Sequence, residues 1–392
     1  MEKNGSLADE NTHRRGHLRQ ATRAAVLAAA WLGVGCGGTR LREHTATLLP
    51  SGKVLIVGDG TGAGAKVYDP SAGTFVATHV CTARKGHTAT LLPDGKVLIA
   101  GGRQTLAHLA NADLYDPATG NFASTGLMTD RRSSHTATLL PNGKVLLTGG
   151  WVERSSKSGN SDTADLYDPA LGVFMSTGTM ARARSEHTAT LLPNGKVLVV
   201  GGRTSIFDLS TVFKKQPRFL ATAELFDPAT RAFTATGSMA VPKARHTATL
   251  LPNGKVLIVG GTAGSDHAQS GTAELYDPAT GVFVPAGSLA KPRSEHTATL
   301  LPNGKVLIAG GIAEDGTPFA SAKLYDPTTG GITPTGNMAH ARSGHTATLL
   351  PDGKVLIVGG TDGRDHTHFG NVEIYNPATG IFAPNDGSIA PK

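Results

Sequence analysis

One stretch constrains this chain more than any other: His246-Thr-Ala-Thr-Leu-Leu-Pro-Asn-Gly-Lys-Val-Leu-Ile-Val-Gly-Gly261, of which seven near copies occur. The copies begin at His44, His87, His135, His187, His246, His296 and His345, spaced 43, 48, 52, 59, 50 and 49 residues apart. A period near fifty is too long for most helical solenoids. Within each copy, two short runs rich in apolar and β-branched residues flank Pro-Asn-Gly, Pro-Asp-Gly or Pro-Ser-Gly. Proline presets φ and glycine accepts φ > 0, so the pair predicts a β-hairpin. The second run is apolar throughout, which suits a strand covered on both faces. It ends in a double glycine, where the chain can turn or pack closely without a Cβ. Only the first copy departs, with Gly58-Asp59.

Two further runs complete the unit. The third carries Tyr68, Tyr115, Tyr167, Phe226, Tyr276, Tyr325 or Tyr375 and breaks at Asp-Pro, or Asn-Pro in the last copy. The fourth carries Phe75, Phe122, Phe174, Phe233, Phe283, Ile332 or Phe382. Four strands with short connections make an antiparallel meander, which is marginal alone and needs neighbours over its faces. Seven in a ring predict an all-β, seven-bladed β-propeller. The double glycine, the Tyr-Asp-Pro and the fourth-strand aromatic resemble the kelch-repeat β-propeller family over residues 40–390. That resemblance implies four-stranded antiparallel blades. The family's usual fourth-strand Trp is Phe or Ile here.

The 50 glycines among 392 residues, with 22 prolines, fall at fixed offsets and so mark turns rather than disorder. Formal net charge is +7, of which +2 precedes Cys36. The remainder is too mild and dispersed for nucleic acid, and no basic–aromatic interleaving accompanies it. Residues 1–36 stand apart from the repeat: Arg14, Arg15 and Arg19 precede a short apolar run, 24–35, and then Cys36. That order predicts an export signal, too short to span a membrane. The stretch 32–36 resembles a bacterial lipoprotein signal with Cys36 as the lipidated residue, although Leu32 falls one place early. Cleavage without lipidation is the alternative. The expected protein is exported, held in the cell envelope if lipidated and extracellular otherwise, with membrane contact only through the lipid. Residues 37–392 are then a single propeller domain, expected as a monomer. Cys81 is the one cysteine beyond Cys36, so if Cys36 is lipidated no intramolecular disulfide forms and packing alone must hold the ring.

Strands alternate in direction, so the first-to-second and third-to-fourth turns share one face. The second-to-third links and the blade-to-blade crossings share the other. All length variation lies in those links: 59–65, 103–111, 151–163, 203–222, 262–272, 312–321 and 361–371. Loops varied on a constant scaffold are where binding usually resides. The seven lead histidines would ring the axis, either as a metal or anion site or by bonding to neighbouring blades. A symmetric seven favours the structural role over a few chosen ligands. Three residues earlier stand Arg84, Arg132, Arg184, Arg293 and Arg342, with Lys243 in the fifth copy. These either attract a carboxylate or sulfated glycan, or tie blades together through carbonyls and carboxylates.

Some relatives of the kelch family are copper oxidases with a tyrosine radical, a chemistry that needs tyrosines in the loops and a cysteine joined to one of them. All six tyrosines here belong to the repeat itself. No phosphate loop, nucleophile elbow or zinc spacing occurs, so no catalytic residue, metal or cofactor is assigned. The loop 361–368 gathers Asp362, Asp365, His366 and His368 without a closed ligand spacing. A non-catalytic envelope or secreted module binding a protein or glycan is therefore expected. A carbohydrate-active hydrolase or lyase, with acids from several blades, is the alternative. The expected contact set is Trp151 with Ile206, Phe207, Phe213, Lys214, Lys215 and Phe219 of the longest link, an aromatic cluster with a basic rim.

Overall fold

The all-apolar second strand decides the architecture, because it must be covered on both sides. The computed structural model describes residues 44–58, 64–78, 82–105, 107–153, 158–204, 206–207, 218–264, 268–362 and 372–385. The export segment, Cys36 and Cys81 lie outside them. In every unit the second strand, such as Val256–Val259, is buried at all four positions. Alternate side chains go to opposite neighbours. Val256 and Ile258 pack with Leu198 and Val200 of the unit before, whereas Leu257 and Val259 pack with Val306 and Ile308 of the unit after. The core is thus a set of layers between blades rather than within them.

Seven four-stranded antiparallel sheets follow one another, at 45–77, 88–127, 136–176, 188–238, 247–288, 297–334 and 346–384; they are blades 1 to 7. Within each blade the strands pair in chain order. The first strands, such as Thr247–Leu250, lie beside one another in a closed circle and are innermost. All of these residues belong to one compact unit, Arg42–Lys392.

The ring closes without strand exchange. Val54, Ile56 and Tyr68 of blade 1 pack against Leu350, Leu356, Val358 and Val372 of blade 7, a layer like the other six. His44 Nε2 lies 3.2 Å from Thr346 Oγ1. The Tyr68 hydroxyl donates to the Asn385 carbonyl, and Asn385 Nδ2 returns a bond of 2.7 Å to that hydroxyl.

Turn chemistry follows the sequence. The aspartate before proline accepts the N–H two residues on, as Asp116 does from Ala118 at 2.9 Å. It also takes the lysine that opens the second strand, as in Lys255–Asp277 at 3.0 Å. The Asp277 carboxyl consequently lies below its ordinary range, through the Ala279 N–H first and Lys255 next. The links are less irregular than their sequences suggest. Past the double glycine the chain continues into small sheets, such as Arg203–Thr204 with Arg218–Phe219.

Six of the seven third-strand aromatics pack on a fourth-strand phenylalanine with ring centroids 4.7–4.9 Å apart, and Tyr325 stands opposite Ile332. The third-strand hydroxyl reaches the blade before: Thr125 to Tyr167, Thr236 to Tyr276 and Thr335 to Tyr375, each at 2.9 Å. Two blades break this rule in opposite halves. Phe226 has no hydroxyl, and Thr177 Oγ1 facing it is buried without a partner; Ala286 has none either, and the Tyr325 hydroxyl is stranded. Restoring one half-pair should stabilise the ring. Phe226→Tyr is expected to raise the unfolding free energy by about 1 kcal/mol in urea. In a double-mutant cycle with Thr177→Val the gain should vanish. A loss on Phe226→Tyr would mean that the blade 4 site has no room for the hydroxyl.

Candidate functional site on the loop face

The loop face is built from the blade crossings inward. Each crossing brings a cation three residues ahead of the lead histidine, and the second strand of the same blade leaves a carbonyl free at its first glycine. Arg184 Nη1 donates to the Gly201 and Thr222 carbonyls, both at 2.9 Å, and Nη2 donates to Glu224 Oε1 at 2.6 Å. Arg132 pairs with Asp165 at 3.4 Å, Lys243 with Glu274 at 3.1 Å, Arg342 with Glu373 at 2.6 Å, and Arg84 with Asp113. Arg132, Arg184 and Arg342 are 0 % exposed and Arg84 2 %. Burial draws the cationic groups of Arg184, Lys243 and Arg342 below their ordinary range, and their glutamate partners oppose that shift. The expectation of a ligand-facing basic ring is therefore corrected for Arg84, Arg132, Arg184 and Arg342. A crossing chain with unpaired carbonyls beneath it draws the guanidinium inward. Arg293 is buried as well and bonds the Gly310 carbonyl at 2.8 Å, but without a carboxylate.

The lead histidines form a second circle. Each Nε2 reaches the first-strand threonine of the blade before, from Thr45–His87 at 2.9 Å round to Thr346–His44 at 3.2 Å. The bond is to an adjacent blade, as the structural reading expected, but its partner is chiefly a hydroxyl rather than the backbone. The double glycine makes room for it. Gly260 has φ +64, and a Cβ there would stand 2.6 Å from both His296 Cε1 and the Arg293 carbonyl. Gly261 has φ +103, and a Cβ there would stand 2.6 Å from the Ala244 carbonyl and 3.0 Å from the Cβ of its own blade's His246. Burial first, then the neighbouring Arg or Lys, holds His87, His246, His296 and His345 down to about 3. His135 and His187 are lowered in the same way.

Inside that circle lies a collar that the sequence reading missed. The residue just before each histidine is left-handed in Ser134, Glu186, Arg245 and Glu295, at φ 52 to 55, and in Gly86 and Gly344. Consecutive members are joined by backbone bonds, such as Arg245 N–H to the Glu186 carbonyl at 3.0 Å. Arg245 grips Glu186 with Nε and Nη2, both at 3.0 Å, and reaches Glu295 with Nη1 at 3.2 Å. Arg203 adds a third cationic contact, 3.0 Å from Glu186. Burial raises the Glu295 carboxyl, Arg245 opposes this, and Glu186 adds to it. The sequence signal was a chemically varied position just before each lead histidine, as in Ser-Glu-His187, Ala-Arg-His246 and Ser-Gly-His345.

Outward of the collar, the links of blades 3 and 4 merge. Arg132–Ser133, Trp151–Glu153, Ser158–Asn160 and Ile206–Phe207 form one four-stranded sheet. It brings Trp151, which is half-buried, into the same sheet as Ile206 and Phe207. Phe219 pairs with Arg203 in the small sheet beside it. Phe213, Lys214 and Lys215 lie outside the described residues, as do Asp365, His366 and His368.

Residues 341–384 match the model of the Kelch motif. None of the curated proteins matches the chain in sequence. Among solved structures, a fungal alcohol oxidase of the AA5 family in complex with copper is similar at 19% identity and TM-score 0.66, over 84% of this chain and 73% of its own. YjhT is similar at 14% identity and TM-score 0.61, over 77% of this chain and 97% of its own. At these identities the likeness is one of fold. Among the described residues the donor set does not fit a tyrosine–copper centre. The six tyrosines stand in third strands, at most 3 % exposed, and the lead histidines are engaged with threonines.

The buried histidines make stability pH-dependent. Their folded values lie below the ordinary 6.5, so both states are neutral above it and stability is full. Below about pH 6.5 the unfolded chain gains protons that the ring refuses, and stability falls until about pH 3. Each histidine contributes about 1.4 kcal/mol per pH unit in that window. Urea unfolding between pH 7.5 and 5 should show uptake of several protons. A flat profile would mean that the histidines titrate within the folded ring.

Proposed function

Given a chain that is a β-propeller of kelch-type repeats, we propose that it serves as a non-catalytic binding module, exported to the cell envelope or beyond, which recognises a protein or glycan through its loop face. The fusion of the blade 3 and blade 4 links into one sheet carries this reading. The opposite face repeats a single Lys–Asp turn in blade after blade. The loop face instead differs in every blade, and its widest departure joins Trp151 to the link 203–222. A sheet built from two links is a preorganised base for a contact surface. The basic-then-apolar start up to Cys36 supports export.

The test removes the tip and keeps its base. Replacing 205–217 by Asn-Gly leaves Arg203–Thr204 paired with Arg218–Phe219 across a two-residue turn. Partner capture from envelope extracts should fall at least tenfold while the melting temperature holds. Undiminished capture, or capture that merely follows loss of folded protein, would reject the assignment.

One observation favours a second reading, a carbohydrate-active hydrolase or lyase. Glu186 and Glu295 come from separate blades to one arginine, and burial raises the Glu295 carboxyl above its ordinary value. On that reading, Glu295→Gln should abolish glycan turnover that the native protein shows. Absence of turnover by the native protein across a polysaccharide panel would remove this reading.

A further inference from the structure

Blade 6 breaks the pattern by which this ring buries cations. In blades 2, 3, 4, 5 and 7 the crossing cation meets a carboxylate from the third strand: Asp113, Asp165, Glu224, Glu274 or Glu373. In most of them the same carboxylate also accepts a backbone N–H from the crossing: Thr129 at 3.1 Å, Ala181 and Ala240 at 2.8 Å, and Ala339 at 2.7 Å. Guanidinium or ammonium on one side and an amide on the other make a fixed carboxylate slot.

In blade 6 the slot keeps its donors and loses its carboxylate. Lys323 stands opposite Ile308, the register position that Glu224 holds opposite Val199 and Glu373 holds opposite Ile357. Arg293 is 0 % exposed and bonds only to neutral groups: the Lys291, Gly310 and Ser321 carbonyls and, at 3.1 Å through Nη2, the Ser321 hydroxyl. Phe319 covers one face of the guanidinium, 4.3 Å from Cζ to the ring centroid. Burial alone pushes Arg293 down to about 10, with no anion opposing it. Lys291 occupies the position of His340, whose Nδ1 lies 3.8 Å from Glu373 in blade 7. Ala290 is the counterpart of Ala339 and, like it, is an exposed residue. Among the described residues neither Lys291, Arg293 nor Lys323 has a carboxylate partner.

We propose that this slot, formed by Arg293, Lys323, Lys291 and the Ala290 N–H, binds a carboxylate group supplied by a ligand from outside the chain. A buried guanidinium in a blade that puts a lysine at the carboxylate's register position lacks the counter-charge that five sister sites possess, and a planar two-oxygen anion would supply it. The inference deepens the loop-face reading by giving one subsite its ligand chemistry. It is tested without any partner, so failure of the loop replacement and failure of the slot are separable.

The probe is acetate, compared with chloride at equal ionic strength. The full chain should gain thermal stability saturably in acetate. Lys323→Glu supplies the missing carboxylate, so its melting temperature in chloride should exceed the wild type's and its acetate response should vanish. Lys323→Gln should keep the response with half-saturation weakened about fivefold. Equal responses to acetate and chloride in the wild type would overturn the proposal, as would an acetate response in Lys323→Glu equal to the wild type's. Should Lys323→Glu fail to fold, an unchanged half-saturation in Lys323→Gln would overturn it instead.

Discussion

Two side chains to the left and two to the right: that division of every second strand is what the ring depends on. Because Val256 and Ile258 serve one interface while Leu257 and Val259 serve the next, a single blade exposes both apolar faces as soon as a neighbour is lost. Burial of such strands is worth roughly 1.5–3 kcal/mol per side chain, and all of it is earned between units. The remaining features act on these interfaces. The lead histidine bolts first strand to first strand, and the aromatic hydroxyl joins fourth strand to third.

The polar circles around this apolar layer work by fixing position more than by adding energy. A buried ion pair regains little beyond its desolvation cost. Its value here is geometric: each clamp holds a crossing chain over the end of its own blade, so the residue that follows reaches the axis in a left-handed conformation. The Glu186–Arg245–Glu295 cluster therefore depends on clamps that never touch it. Burial keeps the histidines neutral, and the positive charge that each clamp places beside one adds to it.

Much of this was legible in the sequence. The strand order, hairpin turns, double glycine and Asp-Pro turns all rest on local rules, and each reappears in the structure at the residue that carried it. The role of the arginines was left between two readings, because their carboxylate partners lie 29, 33, 40 and 31 residues downstream. Link length alone sets those intervals, so no fixed spacing betrayed the pairing. The collar was illegible for a different reason. Glu186, Arg245 and Glu295 are far apart in the chain and meet only because the ring closes, and no helix or strand period predicts convergence on an axis.

The seam between blades 7 and 1 carries an entropic asymmetry. Six of the seven histidine–threonine bonds join residues 42 to 58 apart in sequence, whereas His44 and Thr346 are 302 apart. Closing that longer loop costs roughly 1.5 kcal/mol more than closing the others. Its packing is no different in kind, so the seam is the weakest bond of an otherwise uniform hoop. An opening fluctuation would begin there, before any blade lost a strand.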